Sequence, residues 1–153
     1  KFVRVGDLLF EKGYIEAALV EYGKAQKGFE SSEEDDVQPS PTLFARQAIC
    51  YLKLQDPETA LQIIKKGYDK APEHPKILRA YGEILQSKNQ DNQALIYLNT
   101  AYDVDPYHID TQKSLVQLYK KIGNDMQAEK HQHYVNILLG EQTSREHTSL
   151  LWR

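Results

Sequence analysis

Lys76–Pro106 reads KILRAYGEILQSKNQDNQALIYLNTAYDVDP, and its spacing decides the fold. Apolar residues recur at helical intervals as far as Lys88, a polar break follows at Asn89–Asp91, and a second helical pattern runs to Tyr102. Small residues stand at Gly82, Ala94 and Ala101, and Pro106 closes the stretch. Moving back 34 residues finds the same marks at Ala48, Ala60, Gly67 and Pro72, and moving forward 34 finds Val116, Ala128, Val135 and Gly140. A helix–turn–helix unit at fixed period is the signature of a stacked repeat array, so the expected fold is all-α.

Working outward, Lys1–Lys12 carries Phe2, Val5, Leu8 and Leu9 at helical spacing, Gly13 breaks the pattern, and Tyr14–Glu30 resumes it. Ala18 to Ala60 is 42 residues, or 34 plus 8, so about eight extra residues separate the first unit from the second. They are visible in SSEEDDVQPSP, Ser31–Pro41, a polar and acidic loop. Ser31 and Ser32 each stand three residues ahead of an acid, and Ser40 precedes a proline, so all three fit short phosphorylation patterns. Thr42–Leu54 and the stretch from Asp56-Pro57 to about Lys70 form the second unit, with Asp56 as cap and Pro57 in the first turn. After Pro106 the spacing predicts helices over Ile109–Ile122 and Asp125–Leu139, separated by Gly123.

This register resembles the tetratricopeptide-repeat family. Phe44, Ala48, Tyr51, Ala60, Ile64, Gly67 and Pro72 match its pattern in the second unit, and Leu78, Tyr81, Gly82, Leu85, Ala94, Leu98, Ala101 and Pro106 in the third. Leu115, Tyr119, Gly123 and Ala128 keep part of it in the fourth, and Val5, Gly6, Gly13, Ala18, Tyr22 and Ala25 in the first. The resemblance implies an α-α superhelix, a solenoid of about four units over 1–30, 41–74, 75–108 and 109–140, in eight helices. Small side chains let neighbouring helices approach and large ones fill the space between. The fourth unit departs from the pattern, with Gln132 at the aromatic position and Val135 at a small one. Its outer face reads as polar: Gln127, Lys130, His131, His133 and Asn136. Residues 141–153 are either a tail or a ninth, capping helix over Thr143–Trp152.

In this family the first helices line a concave groove where partners lie. Carrying those positions over gives Val3, Asp7, Phe10 and Glu11 in unit one, then Ala45, Ile49, Leu52 and Lys53 in unit two. Units three and four add Lys76, Arg79, Glu83, Gln86, Lys113, Gln117, Lys120 and Lys121. The groove is expected to be apolar or acidic toward the N-terminus and basic toward the C-terminus, fitting an extended peptide with an apolar anchor and acidic groups. One subgroup clamps a chaperone's C-terminal carboxylate through Lys and Asn residues. At those places this chain has Val3, Asp7, Ile49, Lys76 and Ala80, and only Lys76 fits.

The chain has 153 residues, 41% of them hydrophobic, and a net charge of −3. Neither nucleic acid nor an acidic membrane is indicated by that balance, and no run approaches the roughly 18 apolar residues of a membrane helix. Beginning at Lys1 rather than Met, it reads as part of a longer or processed protein. A single cysteine, Cys50, excludes an internal disulfide and a cysteine-based zinc site. His131 and His133 are two apart on a helix and face apart, so they do not chelate one ion. His74 and His108 fall at equivalent places between units and read as capping or packing residues. No phosphate loop, nucleophile–base arrangement or paired-carboxylate cleft is legible, so neither a metal, a cofactor nor catalysis is expected of this segment. The expected function is a protein- or peptide-binding scaffold within a larger assembly. The alternatives are a module that self-associates through its tail, or the regulatory array of an enzyme whose catalytic domain lies elsewhere. The acid-flanked serines lean toward a cytoplasmic or nuclear setting, with the periplasm left open.

Overall fold

The computed structural model describes residues 2–30 and 40–151, with side chains over 3–28 and 40–140. Eight helices make up the described residues: α1 Phe2–Glu11, α2 Ile15–Glu30, α3 Pro41–Lys53, α4 Pro57–Lys70, α5 Pro75–Ser87, α6 Asp91–Val104, α7 Ile109–Lys121 and α8 Asp125–Leu151. Each odd-numbered helix pairs with the even-numbered helix after it, and α5 also packs on α3, α4 and α7. This is the all-α solenoid that the register implies.

The chain reverses inside each unit by the same device four times. Gly13, Gln55, Asn89 and Gly123 all take left-handed backbone, with φ of 86°, 64°, 59° and 79°. At each, two amides turn back onto the end of the preceding helix. In unit one, Gly13 N–H donates to Phe10 O (3.0 Å) and Tyr14 N–H to Leu9 O (2.9 Å). In unit three, Asn89 N–H donates to Gln86 O (3.0 Å) and Gln90 N–H to Leu85 O (2.9 Å). These 5→2 and 6→1 bonds satisfy carbonyls that the helix end would leave bare. Between the later units a histidine starts the next helix. His74 Nδ1 accepts from Lys76 N–H at 3.2 Å, and His108 Nδ1 accepts from Thr111 N–H at 3.4 Å. Asp56 caps α4 by accepting from Thr59 N–H (3.1 Å) and Oγ1–H (2.6 Å), bonds that also hold its carboxyl below the usual range.

The small positions are where helices touch. A Cβ on Gly82 would stand 2.6 Å from Leu98 Cγ, and one on Gly67 would meet Ile77 and Phe44 at 2.8 Å. Ala48, Ala60, Ala94 and Ala101 are fully buried. Around them Tyr81 stacks on Tyr97 (centroids 4.1 Å apart, planes 6° apart), and Tyr68 stands edge-on to both, at 5.6 and 5.7 Å. One period later the edge-on pair Tyr68–Tyr97 becomes Tyr102–His131, at 5.3 Å and 88°.

His131 therefore corrects the expectation of a polar outer face: it is 2% exposed, and stacks on Tyr119 at 5.5 Å. Gln112 Nε2 donates to Pro106 O (3.0 Å), which leaves Gln112 Oε1 to accept from His131 Nδ1–H (2.6 Å). Gln132, at the expected aromatic place, is exposed and donates to Asn136 instead. A second correction concerns the C-terminus. α8 does not end at Leu139 but runs on to Leu151, so no separate ninth helix forms among the described residues. The reason lies at the position of Pro72 and Pro106, where this unit has Gly140. Glycine keeps its N–H and costs a helix about 1 kcal/mol, whereas proline costs about 3 and stops it.

Candidate functional site

The first helices of the units are α1, α3, α5 and α7, and residues one period apart on them fall in two columns one turn apart. One column is Asp7, Ile49, Glu83 and Gln117; the other, from the next unit in each case, is Arg46, Ala80 and Ser114. Asp7 accepts from Arg46 Nε at 2.7 Å, and Glu83 accepts from Ser114 Oγ at 3.1 Å. The junction between them, Ile49 and Ala80, is apolar. The groove floor is thus ionic, then apolar, then polar.

Over the apolar junction lies a cleft of about 240 Å³ reaching across three units. Phe10, Ala45, Ile49 and Ala80 give it an apolar surface, while Glu11, Lys76 and Arg79 supply charge. Asp7 borders it too, but its carboxylate is already engaged by Arg46 and by Tyr22 Oη–H at 2.6 Å. Burial, and then that bond to Asp7, pushes the Tyr22 phenol well above its ordinary range. Arg79 Nη1 lies 3.6 Å from Glu83 and 3.9 Å from Asp110. Its Nε is buried with no hydrogen-bond partner among the described residues.

The structure brings Ile49, Lys76 and Arg79 together in this cleft and distributes the other groove residues differently. Leu52 is half-buried against the core, and Lys53 Nζ sits 5.8 Å above the Phe10 ring. Glu83 serves Arg79 and Ser114. Lys113, Gln117 and Lys120 are exposed on α7. Lys121 is occupied elsewhere: its ammonium donates to Asp91 (3.0 Å) and Asn89 (3.3 Å) and approaches Gln86 O (3.5 Å), fastening α7 to the α5–α6 turn. Lys88 makes the matching clasp to Glu58 one unit earlier. Ser31 and Ser32 lie outside the described residues. Ser40 is exposed at the N-cap of α3, its hydroxyl paired with Thr42 at 2.8 Å rather than with the helix.

Sequence reasoning missed Arg46. The signal was there in the register, since Arg46 stands in the column beside Asp7 with the opposite charge. The acid of the N-terminal groove is half neutralised for this reason, as is the Arg79 guanidinium by Glu83 and Asp110.

No protein-family profile matches the chain. A TPR repeat-containing protein of Bacillus subtilis, YpiA, is 27% identical over 105 residues, which is 69% of this chain and 25% of that protein. The matching stretch thus spans about a quarter of that curated relative. Among solved structures, a thermophilic TPR protein of Thermus thermophilus superposes with a TM-score of 0.76 at 22% identity, over 90% of this chain and 72% of that one. MamA from Desulfovibrio magneticus RS-1 gives 0.68 at 18% identity, over 92% and 75%. These structural likenesses speak to fold alone. Repeated register, paired helices and named likenesses agree on the fold: an all-α solenoid similar to those of tetratricopeptide-repeat proteins.

Proposed function

We propose that the chain is a protein-interaction module that holds an extended peptide across the cleft between α1, α3 and α5. The observation that carries this reading is the pairing of an apolar floor with open positive groups. An apolar side chain of the peptide rests on Ile49, Ala80 and Phe10, and an acidic group meets Lys76 and the part of the Arg79 guanidinium that reaches the cleft. Arg79 gives directional hydrogen bonds and Lys76 a point charge, so the first sets register and the second mainly attraction. The cleft is an assembled feature of three units, which suits a scaffold whose partner bridges repeats.

Selection from a displayed library of random peptides tests this. The expected ligands carry one bulky apolar residue with Asp or Glu a few positions away. Ile49→Glu and Lys76→Glu are each expected to weaken binding about tenfold, roughly 1.4 kcal/mol. Lys120→Ala, outside the cleft, leaves it unchanged. Affinity falls as salt rises, because the charged contact is at the rim. Ligands that lack acids, or that bind the Ile49→Glu variant equally well, defeat the reading.

A further inference from the structure

Two carboxylates approach Arg79 Nη1, Glu83 at 3.6 Å and Asp110 at 3.9 Å, and neither lines the cleft that Arg79 borders. Both distances are too long for hydrogen bonds, so the guanidinium is partly neutralised without being held.

The two acids differ in what else they do. Glu83 also accepts from Ser114 Oγ at 3.1 Å, a bond that joins α5 to α7. Asp110 joins nothing in that way. It stands in the first turn of α7, its side chain is 61% exposed, and it accepts no hydrogen bond among the described residues. Its one ion pair there is the long one with Arg79, and exposed Lys113, three residues along, makes none.

The register sets Asp110 against the cleft. One period back stands Lys76, and one period further back Thr42, both of which line it. From α3 to α7 this position passes from neutral to positive to negative. Lys76 and Arg79 bring two positive charges to the acid-binding side, and Glu83 and Asp110 set two negative charges against them. A carboxylate arriving there meets little net field, and charge alone holds it weakly. Directional hydrogen bonds and the burial of an apolar neighbour carry the rest.

Taking the peptide-binding cleft proposed above as given, we infer that Asp110 is a specificity-determining residue. By offsetting Arg79 from the α7 side, it keeps low the weight that the cleft gives to charge. Peptides with an apolar anchor then outcompete chains that are merely acidic. The residue works against the wrong partner rather than for the right one.

Binding to the full chain is measured by fluorescence anisotropy for three ligands: a selected peptide with anchor and acid, the same peptide with the acid replaced by Gln, and polyglutamate. D110N is expected to bind the acidic peptide about threefold more tightly and the Gln peptide as the parent does. Polyglutamate should gain about threefold or more, and its affinity should fall more steeply with salt in D110N than in the parent. D103N makes the same change of net charge on α6, away from the cleft lining, and should leave all three affinities as they are. The Tm of D110N should differ from that of the parent by less than about 2 °C, since only a long, exposed ion pair is lost. The inference is overturned if D110N binds all three ligands as the parent does. It is overturned too if D103N gains equally, since net charge would then be the cause, or if the Gln peptide gains as much as the acidic one. A parent chain that binds neither peptide overturns the cleft itself, an outcome distinct from binding that ignores Asp110.

Discussion

Gln55 occupies a backbone conformation that its side chain does nothing to favour. At the same place in three other turns the chain has Gly13, Asn89 and Gly123, residues that tolerate left-handed φ. Gly13 and Gly123 marked their turns in the sequence, and Asn89 lay in a visible polar break. Asp56-Pro57 marked the turn beside Gln55, but glutamine has no preference that signals the left-handed backbone there. Removing the strained Cβ with Gln55→Gly should stabilise the fold, the gain being trimmed by extra freedom of the unfolded chain, to a net of about 0.5 kcal/mol. The reverse change, Gly123→Ala, should cost about 1 kcal/mol. Since nothing lies within 4 Å of a Cβ there, the loss would be backbone strain alone. Urea unfolding of both variants checks the opposite signs. At Gly82 the cost has another origin. A methyl group would press on Leu98 at 2.6 Å and on Ala94 O at 3.3 Å, and Gly82→Ala should lose about 1–3 kcal/mol through overpacking.

At the scale of a helix, α8 shows how far a pattern of residue types can be read. Its start and its small residue Ala128 were legible, but the place of His131 was not. A histidine counts as polar in a hydropathy pattern, whereas here it acts as an aromatic ring, paired with Tyr102 as Tyr97 is with Tyr68. That role depends on partners from α6 and α7, far from it in sequence. The burial that makes it a core residue also pushes its pKa below the ordinary value, with Lys130 adding in the same direction. His74 is lowered as well, again chiefly by burial. The folded state then binds fewer protons than the unfolded state, so stability is complete above the unfolded value of about 6.5 and declines as pH falls below it. His131→Phe keeps a ring for Tyr102 and removes the titration. Melting temperatures followed from pH 7.5 to 5 should fall less steeply for this variant than for the parent. A smaller slope should remain from His74. Equal slopes would mean that His131 is not held neutral by its surroundings. The continuation of α8 past Gly140 was equally hidden, since a glycine at the place of a proline reads as a stop yet lets the backbone ladder continue.

For the whole molecule, the architecture and the four-unit count followed from the period. The charge pattern of the groove needed coordinates, because charges cancel across columns that belong to different units. Asp7 is the clearest case. It reads as an acid facing a partner, and it is instead the bolt between the first two units, accepting from Arg46 and from the buried Tyr22. In a solenoid each unit touches only its neighbours, so a fault at one junction stays local. Asp7→Ala leaves the Tyr22 hydroxyl without its acceptor and removes one of two from the Arg46 guanidinium, whose Nη1 still donates to Thr42 Oγ1 at 2.8 Å. The loss of a buried hydrogen-bond partner costs about 1–3 kcal/mol. That loss should appear as easier opening of α1 and α2 only. Hydrogen exchange under native conditions resolves it: amides of α1 and α2 should exchange faster, roughly tenfold for each 1.4 kcal/mol, while those of α6 and α7 keep their rates. Uniform acceleration across all eight helices would instead mean that the array unfolds as a single cooperative body. The Asp7–Arg46 contact would then serve the whole fold rather than the first junction.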